Sequence, residues 1–198
     1  MAHYFTNEKD LKSEIRTINY TNGNFSFEFK SDNGVFSKDH LDYGSKVLIE
    51  TIIKNVDNFD NKKILDVGCG YGFVGITLAK VLNSNVTMVD INKRAVHLCE
   101  MNIKANKVNA QVFESDIYEN VDDKYDLIVT NPPIRAGKKI VLEILLRSKE
   151  FLNINSELWF VIRKDQGAKS IAKELEDTFN LEIMKKSKGF YIFRAKIC

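Results

Sequence analysis

Lys63-Ile64-Leu65-Asp66-Val67-Gly68-Cys69-Gly70-Tyr71-Gly72-Phe73-Val74-Gly75 decides how this chain folds. Ile64 to Val67 is a short apolar run of the kind that forms a strand buried on both faces. Glycines then stand at positions 68, 70 and 72, where the backbone must turn sharply and let another group come close. From Phe73 onward Val74, Ile76, Leu78, Ala79 and Leu82 give an apolar, helix-like pattern. Strand, glycine turn and helix together form the ligand end of the first crossover unit in an open α/β sheet.

Gly70, Gly72 and Gly75 match a Gly-x-Gly-x-x-Gly pattern, which alone is a weak signal for a dinucleotide. Asp66 argues for a different ligand. A pyrophosphate brought to this turn would be repelled by a carboxylate beside it. S-adenosylmethionine carries no phosphate; it brings an ammonium, a carboxylate and a sulfonium, and an acid among glycine amides suits that mixed charge. The competing reading is a tight structural βα turn in which Asp66 caps the helix.

The chain has 198 residues, 44% hydrophobic and 28% charged, which fits one globular domain with a full core. The expected division is one domain over residues 1–198, with a ribbon and loop over 1–38 and a cofactor-binding core over 39–198. No apolar run approaches a membrane span, and residues 1–10 show no secretory signal. Cys69, Cys99 and Cys198 are far apart and odd in number. They fit neither a disulfide framework nor a metal site, and they place the protein in a reducing cytoplasm. A net charge of +2 does not by itself require a nucleic-acid partner.

Residues 14–20 and 24–30 flank Asn22-Gly23, a strong hairpin signal. Phe25, Phe27 and Phe29 alternate with polar residues, so this two-stranded ribbon has an apolar face to pack on the main domain. A helix is predicted over residues 39–56. Gly44-Ser45 inside it costs on the order of 1 kcal/mol, which points to close approach by another helix or by a ligand. Strands are predicted at 85–90, 110–113, 125–130 and 157–162, and helices at 94–104, 138–152 and 167–179. Residues 181–185 and 190–197 close the chain as a hairpin around a turn at 186–189. The expected fold class is α/β: a Rossmann-like, seven-stranded, mostly parallel doubly wound sheet with an antiparallel terminal hairpin and an N-terminal β-ribbon.

Asn131-Pro132-Pro133-Ile134 is the most specific signal, because both prolines of the chain stand together directly after a buried strand. Proline stops the strand and removes two backbone donors. An asparagine amide oxygen and the Pro132 carbonyl, held in a rigid turn, make two acceptors for one planar amino group. Such a nitrogen is a poor nucleophile while its lone pair is delocalised. Accepting both of its hydrogens favours the pyramidal form and aims the lone pair at a methyl group. No strong general base is needed, since the nitrogen becomes acidic once alkylated. The competing reading is a capped strand end.

Asp66-x-Gly68-x-Gly70-x-Gly72, Asp90, Asp116 and Asn131-Pro132-Pro133 together resemble a class I S-adenosylmethionine-dependent methyltransferase acting on exocyclic or amide nitrogen. The chain is similar in particular to the ribosomal RNA small-subunit guanine methyltransferase C family, through Gly34-Val35-Phe36-Ser37, Leu41-Asp42-x-Gly44-Ser45, residues 66–72 and Asn131 to Lys138. The similarity runs from about His3 to the end. Well-known bacterial members carry two tandem copies of the domain, and the stretches here match the catalytic copy. The resemblance implies that Asp66, Gly68, Cys69 and Gly70 hold the methionine part of the cofactor. It further implies Asp90 on the ribose hydroxyls, Ile91 against the adenine, and Asp116 and Ile117 along the adenine edge. Asn131 and Pro132, with Pro133 behind them, would hold the target amino group, and Asn131 would also border the cofactor. Ile134, Arg135, Lys138, Phe36 and Lys38 would meet the substrate. No metal is implied.

Resembling adenine and glutamine methyltransferases usually carry an aromatic residue where Ile134 stands, which tilts the reading toward guanine. Arg135, Lys138, Lys139, Arg163, Lys164, Lys185, Lys186 and Lys188 could meet the phosphates of ribosomal RNA or of the small ribosomal subunit. Alternatives are a protein glutamine or adenine amino methyltransferase, a non-catalytic RNA-binding module, and a nicotinamide-dependent oxidoreductase, the last opposed by Asp66.

Overall fold

The computed structural model describes residues 12–198. The reading of residues 1–10 as lacking a secretory signal, and the start of the resemblance near His3, lie outside the described residues. Strands β1 (Arg16–Asn22) and β2 (Phe25–Ser31) form an antiparallel ribbon separate from the main sheet. Asn22 pairs with Phe25, so the turn is Gly23-Asn24, one residue later than the Asn-Gly signal placed it. Gly23 takes φ +54°, the left-handed conformation that such a tight turn requires.

The ribbon packs as its alternation demands. Tyr20, Phe27 and Phe29 are buried, whereas Phe25 at the hairpin end stays exposed. The rings of Tyr20 and Phe29 meet Phe73 edge-on at 5.1 and 5.4 Å. The outer edge of β2 lies along helix α3 (Lys93–Asn106). The Asn102 carboxamide accepts from the Lys30 N–H at 2.6 Å and donates to the Lys30 carbonyl at 2.9 Å. Asn106, one turn later, treats Glu28 the same way at 3.1 and 2.8 Å.

The main sheet holds seven strands in the order β5-β4-β3-β6-β7-β9-β8. They are β3 (Lys63–Val67), β4 (Asn85–Asp90), β5 (Ala110–Glu114), β6 (Tyr125–Thr130), β7 (Leu152–Arg163), β8 (Phe179–Ser187) and β9 (Phe190–Ile197). β3 to β7 pair in parallel, and β9 runs antiparallel to both β7 and β8, as expected. Alternate residues feed two cores. Ile64, Leu127, Val129 and Trp159 pack with α1 (Tyr43–Asn55), α2 (Phe73–Leu82) and α3. Leu65, Ile128, Leu158 and Phe160 pack with α4 (Lys138–Arg147) and α5 (Ala168–Leu175). After β5 the chain crosses back to lay β6 on the other side of β3, so the sheet changes direction between these two strands. Among the described residues no helix is long and apolar enough to cross a membrane.

Three helix boundaries differ from the sequence reading. α1 begins at Tyr43, because Asp42 takes an extended conformation and its side chain caps Ser45 N–H. The helix expected over 138–152 ends at Arg147; a 3₁₀ turn, Ser148–Glu150, follows, and Leu152 already opens β7. The helix expected over 167–179 stops at Leu175, and Phe179 opens β8. In both cases a buried strand residue falls in helical phase with the stripe before it, so periodicity alone cannot mark the end. A strand residue, not a helix, approaches Gly44: a Cβ there would lie 2.7 Å from the Phe190 ring of β9.

Asn102→Ala leaves two backbone groups of Lys30 without partners, which costs about 1–3 kcal/mol. Urea unfolding should show that loss, and amide exchange of Lys30 should quicken more than that of the β3 amides.

Candidate active site

The carboxyl ends of β3, β4 and β6 surround a cavity of about 690 Å³. In open α/β sheets ligands bind at such a reversal, where the loops leaving neighbouring strands diverge. The volume lies in the usual range for small-molecule sites. The glycine turn forms one wall, and Asp90, Ile91 and residues 115–117 form another. Asn131, Pro132, Pro133, Ile134 and Arg135 face them, and Phe36 lies at the rim.

Asp66 is 2% exposed, and its Oδ2 accepts from the Gly75 N–H at 2.9 Å. The acid therefore does cap α2 while also lining the cavity, so the two readings of it are not exclusive. Burial pushes its pKa up to about 7, against the hydrogen bond from Gly75, and the nearby Asp90 pushes the same way. A side chain at position 75 would place Cβ 2.5 Å from Met88 Sδ and 3.1 Å from Asp66 Oδ2, so only glycine admits this contact.

Asp90 closes β4 and holds the glycine turn. Its Oδ2 accepts from Gly70 N–H and its Oδ1 from Asn92 N–H, both at 2.8 Å. Burial raises its pKa. Each carboxylate oxygen has a second lone pair, so acceptor capacity remains for hydroxyl groups. Cys69 is buried in the turn, and burial holds its thiol well above the ordinary range, hence protonated. The loop after β5 is braced by Ser115, whose hydroxyl donates to the Ile117 carbonyl and accepts from Asn120 N–H.

Thr130 Oγ1 donates to the Val67 carbonyl at 2.8 Å, which fastens the end of β6 to the end of β3. Asp66 pairs with Val129, so Asn131 emerges beside the glycine turn. Its Nδ2 donates to Asp42 Oδ2 at 3.1 Å and to Ser45 Oγ at 2.9 Å. Pro132 is buried beneath it, and Ile134–Ala136 then makes a 3₁₀ turn.

Two residues assigned to the substrate by resemblance stand outside this lining. Lys138 opens α4 and reaches toward α5, where its Nζ meets Ser170 Oγ at 2.8 Å and Glu174 Oε1 at 2.9 Å. Lys38 reaches back to Asn33 Oδ1 at 2.9 Å, because its backbone carbonyl is held by Ser31 Oγ. Conversely, Asp42, Ser45 and Phe190 line the cavity without a role having been read for them. Asp42 and Ser45 carried a signal: an acid three residues before the residue it caps, at a helix start. Phe190 carried none, since strand pairing with Arg163 is what brings it there. Arg163 packs its guanidinium over the Phe190 ring at 5.4 Å and pairs with Asp165 at 2.9 Å.

Strand order, sheet reversal and cavity are those of the class I methyltransferase fold. The 16S rRNA N2 G1207 methyltransferase (RsmC) of T. thermophilus, solved in complex with AdoMet and guanosine, superposes with a TM-score of 0.83 at 22% identity, over 95% of this chain and 52% of that one. Ribosomal protein L11 methylase of Lactobacillus delbrueckii subsp. bulgaricus gives a TM-score of 0.70 at 21% identity, over 82% and 87%. Residues 26–194 match the Methyltransferase small domain family, and the chain belongs to that family. The S-adenosyl-L-methionine-dependent class and its cofactor, read from the sequence, therefore stand. The uncharacterized protein YbxB of Bacillus subtilis (strain 168) is 42% identical over 203 residues, 98% of each chain. Ribosomal RNA small subunit methyltransferase C of Haemophilus influenzae (strain PittEE) is 36% identical over 133 residues, covering 65% of this chain but 39% of that protein.

The raised pKa of Asp66 sets the pH response of the unliganded protein. A carboxyl that holds its proton more tightly when folded favours the folded state most at low pH. That contribution fades as pH rises from the unfolded value of about 4 to about 7. Asp66→Asn should therefore gain stability over the wild type across this window, by up to about 4 kcal/mol, and keep a constant lead above it. Denaturant midpoints of the two proteins, measured from pH 5 to pH 8.5, check this.

Proposed function

We propose that this chain is a cytoplasmic enzyme that methylates the exocyclic amino group of a guanine in small-subunit ribosomal RNA, with residues 1–198 acting as one methyltransferase domain. The carrying observation is that Asn131 and Pro132, each with an oxygen able to accept, line the same cavity as Asp66 and Asp90. The names of the T. thermophilus and H. influenzae relatives support the choice of acceptor.

The donor set fits the cofactor. Buried Asp66 and half-buried Asp90, at neighbouring strand ends with the glycine turn between them, suit a ligand with an ammonium and ribose hydroxyls and no phosphate. In this reading Asp66, Gly68, Cys69 and Gly70 hold the methionine part, Asp90 the ribose, and Ile91, Asp116 and Ile117 the adenine. S-adenosyl-L-methionine supplies an electrophilic methyl group on a sulfonium. Asn131 Oδ1 and the Pro132 carbonyl take the two hydrogens of the target amine and turn its lone pair toward that methyl. Transfer of that methyl to the nitrogen would leave the sulfur as a neutral thioether, and the alkylated nitrogen would give its extra proton to solvent. Pro133 keeps the turn stiff, so the geometry is set before the substrate arrives. Ile134 and Arg135 flank the acceptor, and Phe36 and Phe190 line the same cavity.

The test is transfer of labelled methyl to small ribosomal subunits or their RNA from cells lacking this protein, followed by nucleoside analysis. The expected product is a guanosine methylated on its exocyclic nitrogen. Label in a ribosomal protein or in adenosine instead would replace this reading. Asn131→Ala should lower transfer by about 100-fold or more while calorimetric binding of S-adenosyl-L-methionine changes little.

A further inference from the structure

Asn131 closes β6, yet its side chain is held by α1, whose Asp42 and Ser45 lie 89 and 86 positions earlier in the chain. An amide nitrogen carries two hydrogens, and both are used here, one on Asp42 Oδ2 at 3.1 Å and one on Ser45 Oγ at 2.9 Å. A carboxylate only accepts. Turning the amide over would set Asn131 Oδ1 against Asp42 Oδ2, two acceptors in contact. Asp42 thus determines which end of the amide it meets. Its own position is fixed in turn, since the same Oδ2 accepts from Ser45 N–H at 2.6 Å as the cap of α1.

We infer that Asp42 and Ser45 are positioning residues for methyl transfer: they lock the Asn131 amide with its carbonyl oxygen toward the acceptor amine. This rests on the reaction proposed above. A target amino group brings two donors, so it needs an acceptor opposite. A freely turning amide would present its own NH₂ for part of the time, donor against donor. A donor bond to an anion also draws electron density toward the amide oxygen, which makes Oδ1 a better acceptor. The site therefore discriminates for an amine and against a hydroxyl or carbonyl at the same point.

Asp42→Ser keeps a capping oxygen for α1, but that oxygen is one bond shorter and withdraws from Asn131, so the amide is free to turn. It should lower kcat about 100-fold at saturating substrate, and Ser45→Ala about 10-fold, with the KM for RNA, the Kd for S-adenosyl-L-methionine and the Tm nearly unchanged. In an Asn131→Ala background Asp42→Ser should lower transfer no further. A second readout needs no acceptor at all. The side-chain ¹⁵N–¹H pair of Asn131, identified by its loss in Asn131→Ala, should exchange slowly in the wild type and at least about 10-fold faster in the Asp42→Ser/Ser45→Ala double variant, since both partners are then lost. Equal exchange in the two proteins, or full kcat in Asp42→Ser, overturns the inference. If the wild type methylates no RNA, the proposed reaction falls, and the exchange rates alone then decide whether the amide is locked.

Discussion

A carboxylate buried against the N–H of Gly75, in the first turn of α2, is the constraint from which the rest of the site follows. Asp66 loses its water on entering the sheet end, and the Gly75 N–H answers one of its oxygens. For that bond to form, α2 must come close enough that Gly75 has no room for a side chain beside Met88. The chain must then turn from β3 into α2 within a few residues, through positive φ at Gly68, Gly70 and Gly72. The glycines of the opening motif are thus consequences of where the acid sits. The same turn is held from the next strand, where the Val89 carbonyl accepts from Gly68 and Cys69 N–H and Asp90 accepts from Gly70 N–H.

The parallel core supplies only part of the enclosure. The rest comes from elements far away in the chain that meet above β6. The antiparallel hairpin at the end sets Phe190 opposite Arg163, at the carboxyl end of β7. Phe190 rests on Gly44, and Tyr43 and Ser187 share a hydrogen bond at 2.8 Å. The start of α1 is thereby wedged between the last hairpin and Asn131. Each contact limits how far that helix end can move, and the polar groups of the first turn face the cavity as a result.

Much of this was legible in the chain. The strand positions, the glycine turn, Asp90 and the Asn-Pro-Pro turn all follow from local signals: apolar runs of strand length, residues that permit or forbid particular φ, and acids at strand ends. Helix ends were less legible, because Leu152 and Phe179 continue a helical stripe by coincidence while belonging to strands. The bond from Asn131 to Asp42 was not legible, since a hydrogen bond across 89 positions leaves no periodic trace. Lys38 and Lys138 show the converse. A basic residue beside a catalytic motif looks like a substrate contact, yet each side chain is directed elsewhere by a neighbour that the linear order does not reveal.

The asparagines of α3 have a wider consequence. Four residues of helix rise about 6 Å, and two residues of strand about 6.6 Å, so carboxamides at Asn102 and Asn106 keep step with Lys30 and Glu28. One face of a helix thus imitates a neighbouring strand, amide for amide. The ribbon gains a third partner without a third strand, and its open side is closed to any extended chain that could otherwise zip onto it. A short two-stranded ribbon, marginal by itself in water, becomes a fixed part of the molecule with its β2 edge covered.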